Sequence, residues 1–339
     1  MQISNLKKVL EAEPKYRLQQ ASDAIYKNFI SDWSEATFFT KDLRDKLNNE
    51  CPLKINADVL VSKKEDSVKA KITLNDGFEI ETVLMRHRDG RNTVCVSSQV
   101  GCPLGCLFCA TGKMGLKRNL TSDEIIEQVL FFDRYLLKEN QHVTNVTYMG
   151  MGEPFLNYDN VLESVKILND HKFFNIGVRS ISVSTAGIIE GINKLSDEKL
   201  HINLAISLHA PNNALREKLM PIDKKYPLPD VLMAVEEYIE KTNRKVMFEY
   251  VLIKDVNDSD EHARELAKIM NKKLYMVNLI MYNETHSTGS GQAGVFKASE
   301  TKRVEVFRMI LEKLKIRYTQ RYRFGDDINA ACGQFATNK

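Results

Sequence analysis

Gly101-Cys102-Pro103-Leu104-Gly105-Cys106-Leu107-Phe108-Cys109-Ala110-Thr111 sets three cysteines in a Cys-x-x-x-Cys-x-x-Cys pattern. Half of the chain's six cysteines fall within eight positions here. Close thiols at fixed spacing point to metal or a cluster rather than to disulfides in a chain that reads as cytoplasmic. A closed zinc site takes four protein ligands. An iron–sulfur cubane usually takes four cysteines. Three leave one iron open, which suits binding and reducing a substrate there, so a cluster is favoured over zinc. Accidental buried cysteines are the remote alternative.

Outward from this loop, the chain repeats a strand, loop, helix rhythm. Strands are expected at 93–98, 143–149, 179–185, 202–208, 246–253 and 276–282, rich in Val and Ile. Several are nearly continuous apolar runs, as expected for strands covered on both faces. Thr121-Ser122-Asp123-Glu124 is a capping-box pattern before Ile125, Ile126, Val129 and Leu130, and it predicts an amphipathic helix. Another helix is expected from Pro229, presenting Val231, Val235 and Ile239. Six β/α units imply a parallel sheet with right-handed crossovers. Six is too few for an eight-fold barrel, so the fold class is α/β, a partial (β/α)6 barrel.

Upstream, residues 1–50 read as short helices, with Thr40 a candidate cap. Val68, Ala70, Ile72 and Leu74 alternate before Asn75-Asp76-Gly77, and Phe78, Ile80, Thr82 and Leu84 resume the alternation, which predicts a hairpin. Residues 1–90 are thus expected to form a small α+β accessory domain, and 91–339 the barrel with its C-terminal segment. Net charge is only +3, which does not announce a nucleic-acid binder. Residues 1–90 balance 15 Lys+Arg against 15 Asp+Glu, while 301–339 carry 9 against 4. That basic stretch suits phosphate, or simply a solvated face. No apolar run is long enough to span a bilayer and the N-terminus lacks an apolar signal core. A cytoplasmic protein with no membrane partner is expected.

Polar residues and glycines gather where the strands end. They include Gly150-Met151-Gly152-Glu153-Pro154, Ser184-Thr185-Ala186-Gly187, Ser207-Leu208-His209 and Asn283. In parallel β/α folds these ends share one face, where active sites sit. Singly, Ser184, Ser207, His209 and Asn283 read as loop or cap residues; together on one face they read as a binding site. Cys95 is blandly a small buried hydrophobe. Cys332, in Gly325-Asp326-Asp327-Ile328-Asn329-Ala330-Ala331-Cys332-Gly333-Gln334, is open to three readings: nucleophile, fourth cluster ligand, or idle.

The cysteine loop after a first β/α strand resembles the radical S-adenosylmethionine (SAM) superfamily. Nearly the whole chain is similar to its RlmN/Cfr family of RNA methyltransferases. The resemblance rests on Cys95-Val96-Ser97-Ser98-Gln99-Val100-Gly101-Cys102, Phe108-Cys109-Ala110-Thr111-Gly112, Arg118-Asn119-Leu120-Thr121, Met149-Gly150-Met151-Gly152-Glu153-Pro154, Ser207-Leu208-His209-Ala210-Pro211, Leu219-Met220-Pro221-Ile222 and the segment around Cys332. It implies one [4Fe-4S] cluster on Cys102, Cys106 and Cys109. Its open iron would chelate S-adenosylmethionine, whose cleavage gives a 5′-deoxyadenosyl radical. Gly152, Glu153, Ser184, Ser207, Leu208, His209 and Asn283 would hold that molecule.

The resemblance also implies roles for the other thiols. Cys332 takes a methyl group from one S-adenosylmethionine, and a second yields the radical, so two are used per turnover. The radical takes a hydrogen from the S-methyl group, and the resulting carbon adds to adenine. Cys95 helps release the product, leaving a Cys95–Cys332 disulfide to be reduced. Glu81 aligns with a proton acceptor; a surface strand glutamate is the bland alternative. Cys51 matches nothing functional. Pro154 resembles the RlmN type, which methylates adenine C2 in 23S rRNA and, in some members, a tRNA adenosine. The Cfr type, acting at C8, tends to have Ala there. The polar stretch Glu284-Thr285-His286-Ser287-Thr288-Gly289-Ser290-Gly291 departs from the family, which usually has proline after Asn283. The expected partners are rRNA, tRNA and an electron donor such as flavodoxin or ferredoxin, with the chain a monomer. Rivals are a radical SAM enzyme that modifies a protein partner and a zinc module that only binds RNA.

Overall fold

The computed structural model describes residues 3–284 and 296–336. The family-departing stretch 285–291 lies outside the described residues. Twelve strands run in chain order as β1 (Asn56–Val61), β2 (Ser67–Thr73), β3 (Glu79–Arg86), β4 (Asn92–Cys95), β5 (Gln99–Cys102), β6 (Gly115–Asn119), β7 (Asn145–Tyr148), β8 (Ile181–Thr185), β9 (Asn203–Ser207), β10 (Val246–Leu252), β11 (Tyr275–Met281) and β12 (Tyr318–Gln320). Ten form one sheet in the order β1-β2-β3-β4-β7-β8-β9-β10-β11-β12. Every pair from β4 onward is parallel. The sheet has two edges, so the barrel is open, as expected.

All six expected strands are present. A seventh parallel strand, β12, extends the barrel beyond the expected six. Alternation along the strands explains their burial. Val146 and Tyr148 of β7, Leu204 and Ile206 of β9, and Phe248, Tyr250 and Leu252 of β10 belong to the main core. The residues between them, Thr147, Ser207 and Glu249, carry polar side chains on the opposite face, because successive strand residues point to opposite sides.

The helix Ser122–Leu137 joins the two halves of the molecule. Its capping box forms as expected: Thr121 Oγ1 accepts from Glu124 N–H, and the Glu124 side chain accepts from Thr121 N–H. Ile125, Val129, Phe132 and Leu136 pack into the main core. Ile126 and Leu130 pack into a second core made by the N-terminal helices around the fully buried Trp33. Each such side chain contributes roughly 1.5–3 kcal/mol, so one helix stabilises both cores. Cys51 lies in the second core, where its carbonyl accepts from Trp33 Nε1 at 2.8 Å. The N-terminal hairpin strands do not form a separate sheet. β3 pairs antiparallel with β4, setting Val83 opposite Cys95, so the sheet runs through residue 90.

Candidate active site

The cysteine loop is gripped by a short antiparallel hairpin, β5 and β6, that the sequence did not announce. Gly101 makes it possible. Its φ is +77°, and a Cβ there would lie 1.9 Å from the Gly115 carbonyl oxygen. Cys102 and Cys106 are buried and Cys109 partly so. All six cysteines are free. Burial pushes the Cys102 thiol up to about 12, which the Leu104 N–H offsets only in part. Burial also lifts Cys106 well above the ordinary thiol range, helped by Cys109 and Cys102. The three therefore sit close enough for their charges to interact.

Among the described residues, no group of three or more His, Cys, Asp or Glu is placed to hold a metal ion. The donor set is nonetheless all sulfur, which suits iron–sulfur chemistry. Thiols that resist ionisation alone ionise on metal, because the cation supplies the missing counter-charge. Cys102, Cys106 and Cys109 fit a cluster on that ground.

Three loops meet beside these thiols. Gly152 has φ +100°, and a Cβ there would lie 2.5 Å from Gln99 Cβ, so only glycine lets the β7 loop close on β5. Glu153 is buried. Its carboxylate accepts from Phe155 N–H at 3.0 Å and from Ala186 N–H at 2.7 Å, tying the loops after β7 and β8. With the Thr185 hydroxyl also bonding the carboxylate, three of about four lone-pair sites are spent. Burial lifts Glu153 to about 7, and a cation beside it would keep it ionised. An ammonium group of S-adenosylmethionine has that character. Ser184 and Ser207 set their hydroxyls 3.4 Å apart.

His209 has a left-handed backbone, φ 56°. Burial, then Arg216, depresses it to about 3, so the ring is neutral. Its Nδ1 accepts from Val251 N–H at 3.1 Å, which leaves Nε2–H as its donor. Phe108 of the cysteine loop meets the ring edge-on at 4.8 Å. Leu208 packs its side chain in the main core and spends its N–H on Glu249 and its carbonyl on Ala210.

The C-terminal segment closes the site. Ala110 N–H donates to the Gly333 carbonyl at 2.8 Å, and Thr111 Oγ1 to the Phe335 carbonyl at 2.7 Å. Asn283, buried, donates to the Cys332 carbonyl at 3.2 Å and accepts from Arg323 Nε at 2.8 Å. The result is one cavity lined by Cys95, Cys109 and Cys332, with Thr111, Asn283 and Arg321. Cys95, from β4, and Cys332, from the far end of the chain, are close enough to interact.

Glu81 holds this segment from the other side. Its Oε1 pairs with Lys69 Nζ at 2.7 Å, both nearly fully buried. Its Oε2 accepts from Ala336 N–H at 3.0 Å, and Lys69 also donates to the Asn329 carbonyl at 3.1 Å. Burial raises the Glu81 carboxyl, which Lys69 opposes. Glu81 is therefore no surface strand glutamate.

Sequence reasoning missed three charged residues. Arg321 falls in the basic stretch 301–339; it interacts with Cys332, Glu249 and Cys95, whose charges strengthen its hold on its proton. Glu249, buried on β10, accepts from Asn278 Nδ2 at 2.8 Å, and its Oε1 has no hydrogen-bond partner. Arg216, fully buried, bonds Asp223 and the carbonyls of Ala186 and Ser207, joining the ends of β8 and β9. Nothing in their local sequence marks them: Arg321 and Glu249 meet remote partners, and Arg216 reaches Asp223 only across a turn of the chain. Arg216→Met is expected to cost about 3–5 kcal/mol, since it leaves Asp223 buried without its cation. Guanidinium denaturation checks this, and adding Asp223→Asn is expected to recover part of the loss.

Comparison with known proteins agrees with this geometry. Residues 96–267 match the radical SAM superfamily model. The "probable dual-specificity RNA methyltransferase RlmN" of Dictyoglomus thermophilum is 45% identical over 95% of this chain and 90% of its own length. The protein of the same name from Bacillus cytotoxicus is 42% identical over 96% and 88%. The crystal structure of a radical SAM methyltransferase from Sphaerobacter thermophilus superposes with a TM-score of 0.92 at 40% identity, covering 99% of this chain and 97% of that one. On these likenesses the chain belongs to the RlmN family of the radical SAM superfamily.

Proposed function

We propose that this chain methylates adenine C2 in 23S rRNA and in tRNA, with Cys332 as methyl carrier. The observation that carries the reading is the single cavity that brings Cys95 and Cys332 beside Cys109. A bound [4Fe-4S] cluster with S-adenosylmethionine, two molecules per turnover, supplies an electrophilic methyl group and a carbon radical able to take a hydrogen atom. Cys102, Cys106 and Cys109 would hold the cluster. Gly152, Glu153, Ser184, Ser207, His209 and Asn283 line the strand ends where the second component would sit, with Leu208 serving only through its backbone. The electron comes from a small donor such as flavodoxin or ferredoxin, and the chain acts as a monomer. No helix of the described residues is long and apolar enough to cross a membrane.

The carrier is needed because adenine C2 is not a nucleophile, so polar methyl transfer to it fails. Cys332 is a soft nucleophile that accepts the methyl group as a thioether. Loss of one hydrogen atom from that methyl group gives a carbon radical that adds to adenine C2, tethering RNA to Cys332, and the adduct gives up one electron to the cluster that Cys102, Cys106 and Cys109 would hold. Cys95 lines the same cavity; its thiolate attacks the Cys332 sulfur, the sulfur–methylene bond breaks, the C2 proton leaves, and the methylene carbon takes up a proton to become the methyl group, so release leaves a Cys95–Cys332 disulfide. Glu81, a carboxylate whose proton affinity burial raises against the opposing Lys69, is the proton acceptor in this scheme.

Arg321 makes the release possible. Burial, then the Cys332 charge, pushes the Cys95 thiol up to about 12, and Arg321 opposes the rise. A cation favours thiolate, so removing it raises the Cys95 pKa further. Arg321→Met is therefore expected to slow release by roughly tenfold or more, given that an adjacent opposite charge shifts a pKa by about 1–3 units. Below both thiol pKa values the thiolate fraction rises about tenfold per pH unit in either enzyme, so both release rates climb with pH at a constant ratio, and Arg321→Lys recovers part of the deficit. Single-turnover decay of the enzyme–RNA species from pH 7 to 9 checks both.

The experiment that tests the function is anaerobic incubation of RNA with reconstituted enzyme, reductant and methyl-labelled S-adenosylmethionine, followed by nucleoside mass spectrometry. Labelled 2-methyladenosine is expected. Label at C8 would move the chain to the Cfr type, and no labelled adenosine would sink the reading.

A further inference from the structure

A second concavity adjoins the active-site cavity. Its walls are the β1–β2 turn with Lys64, the β3–β4 turn with Arg86, His87 and Arg88, and Tyr322 and Phe324 just after β12. Tyr322 and Phe324 line both spaces, so the groove leads to Cys332. Its volume is about 630 Å³, inside the roughly 300–1,000 Å³ range of small-ligand sites.

Its chemistry is basic and aromatic. Arg86 is paired with Glu139, and Arg91 with Asp89. Asp66 accepts from the hydroxyls of Ser62, Ser67 and Tyr322. Lys64 and Arg88 are exposed and have no ion-pair partner among the described residues. The Tyr322 ring is 50% exposed. It stands edge-on to Phe324 at 4.8 Å, and Phe324 meets His87 at 4.9 Å. Packing against Phe324, itself buried, supports the Tyr322 ring, while half of the residue stays exposed. Burial, then Arg91, depresses His87, so it joins this platform as a neutral ring.

We infer that this groove binds the single-stranded RNA flanking the target adenosine, with a neighbouring base stacked on Tyr322 and phosphates at Lys64 and Arg88. The inference rests on the reading of the chain as an RNA methyltransferase. A base stacked in a duplex cannot reach a half-buried thiol, so the target must leave the stack. Its neighbours then expose their faces, and aromatic rings beside a basic groove take such bases without regard to sequence. The groove therefore supplies affinity and position, while base identity is tested in the cavity.

The test uses full-length reconstituted enzyme and a hairpin RNA carrying an unpaired adenosine, with binding followed over a salt titration. Tyr322→Ala is expected to weaken binding roughly five- to a hundredfold and Tyr322→Phe to keep it, from the usual worth of one base–aromatic stack. Lys64→Ala with Arg88→Ala is expected to flatten the log K against log salt slope by about 1.4, at about 0.7 per phosphate on a single strand. Both changes should raise KM more than they lower kcat, and the Lys64 and Arg88 changes, which lie outside the active-site cavity, should leave methylation of Cys332 in the absence of RNA at the wild-type level. If wild-type enzyme methylates this RNA while both variants keep wild-type affinity and salt slope, the groove assignment is overturned and the functional reading stands. If the variants lose affinity but the wild type methylates no RNA, the groove stands and the functional reading fails.

Discussion

Cys332→Ala is expected to abolish RNA methylation, with no labelled adenosine above background, while S-adenosylmethionine is still cleaved under reductant. The two activities separate because they rest on different parts of the chain. Cleavage depends on the hairpin-gripped thiols Cys102, Cys106 and Cys109, all upstream of residue 110. Transfer depends on one sulfur brought in by the C-terminal segment. That segment is held by backbone and side-chain groups around Cys332, through Gly333, Phe335, Asn329 and Ala336, none of which needs the thiol. The variant should therefore fold and dock normally. Parallel assays of 5′-deoxyadenosine and methylated adenosine decide the matter. Methylated adenosine from Cys332→Ala would end the carrier mechanism and favour a different radical reaction.

Cys95→Ala is expected to stop after one turnover, with close to one RNA bound covalently per active enzyme. Cys95 sits on β4 opposite Val83, inside the same cavity as Cys332. Without it the thioether to RNA has no thiol partner and no disulfide forms. Loss of one buried sulfur costs about 1 kcal/mol by the usual scale of small core truncations, too little to unfold the chain. Denaturing gel electrophoresis should show the protein–RNA band, and peptide mapping should place it at Cys332. A freely turning-over Cys95→Ala enzyme would remove the releasing role.

Much of this was legible from local pattern. Apolar runs over 143–149 and 246–253 marked strands because parallel strands are covered on both faces. Thr121 and Glu124 marked a helix start because capping groups lie three residues apart. The three loop cysteines marked their own chemistry. What escaped were features made by distant partners. β12 reads Tyr318-Thr319-Gln320, too polar and short to stand out, and exists because β11 offers an edge. β5 and β6 are four and five residues long and carry a register shift at Gly101. Arg321 looked like one more surface cation, since the thiols and Glu249 that give it meaning come from three other elements. Glu81 was legible as a position, but its lysine partner and its hold on Ala336 were not, because nothing local announces a contact across more than 250 residues.

The docking of the last residues onto the first hairpin also has a consequence for how the enzyme is made. Lys63 N–H bonds Asp327, Lys69 bonds Asn329, and Glu81 bonds Ala336. The hairpin and the cysteine loop leave the ribosome first, and the carrier thiol comes hundreds of residues later. On the proposed mechanism, the carrier thiol reaches its cavity only when the C-terminal segment folds back on the first hairpin.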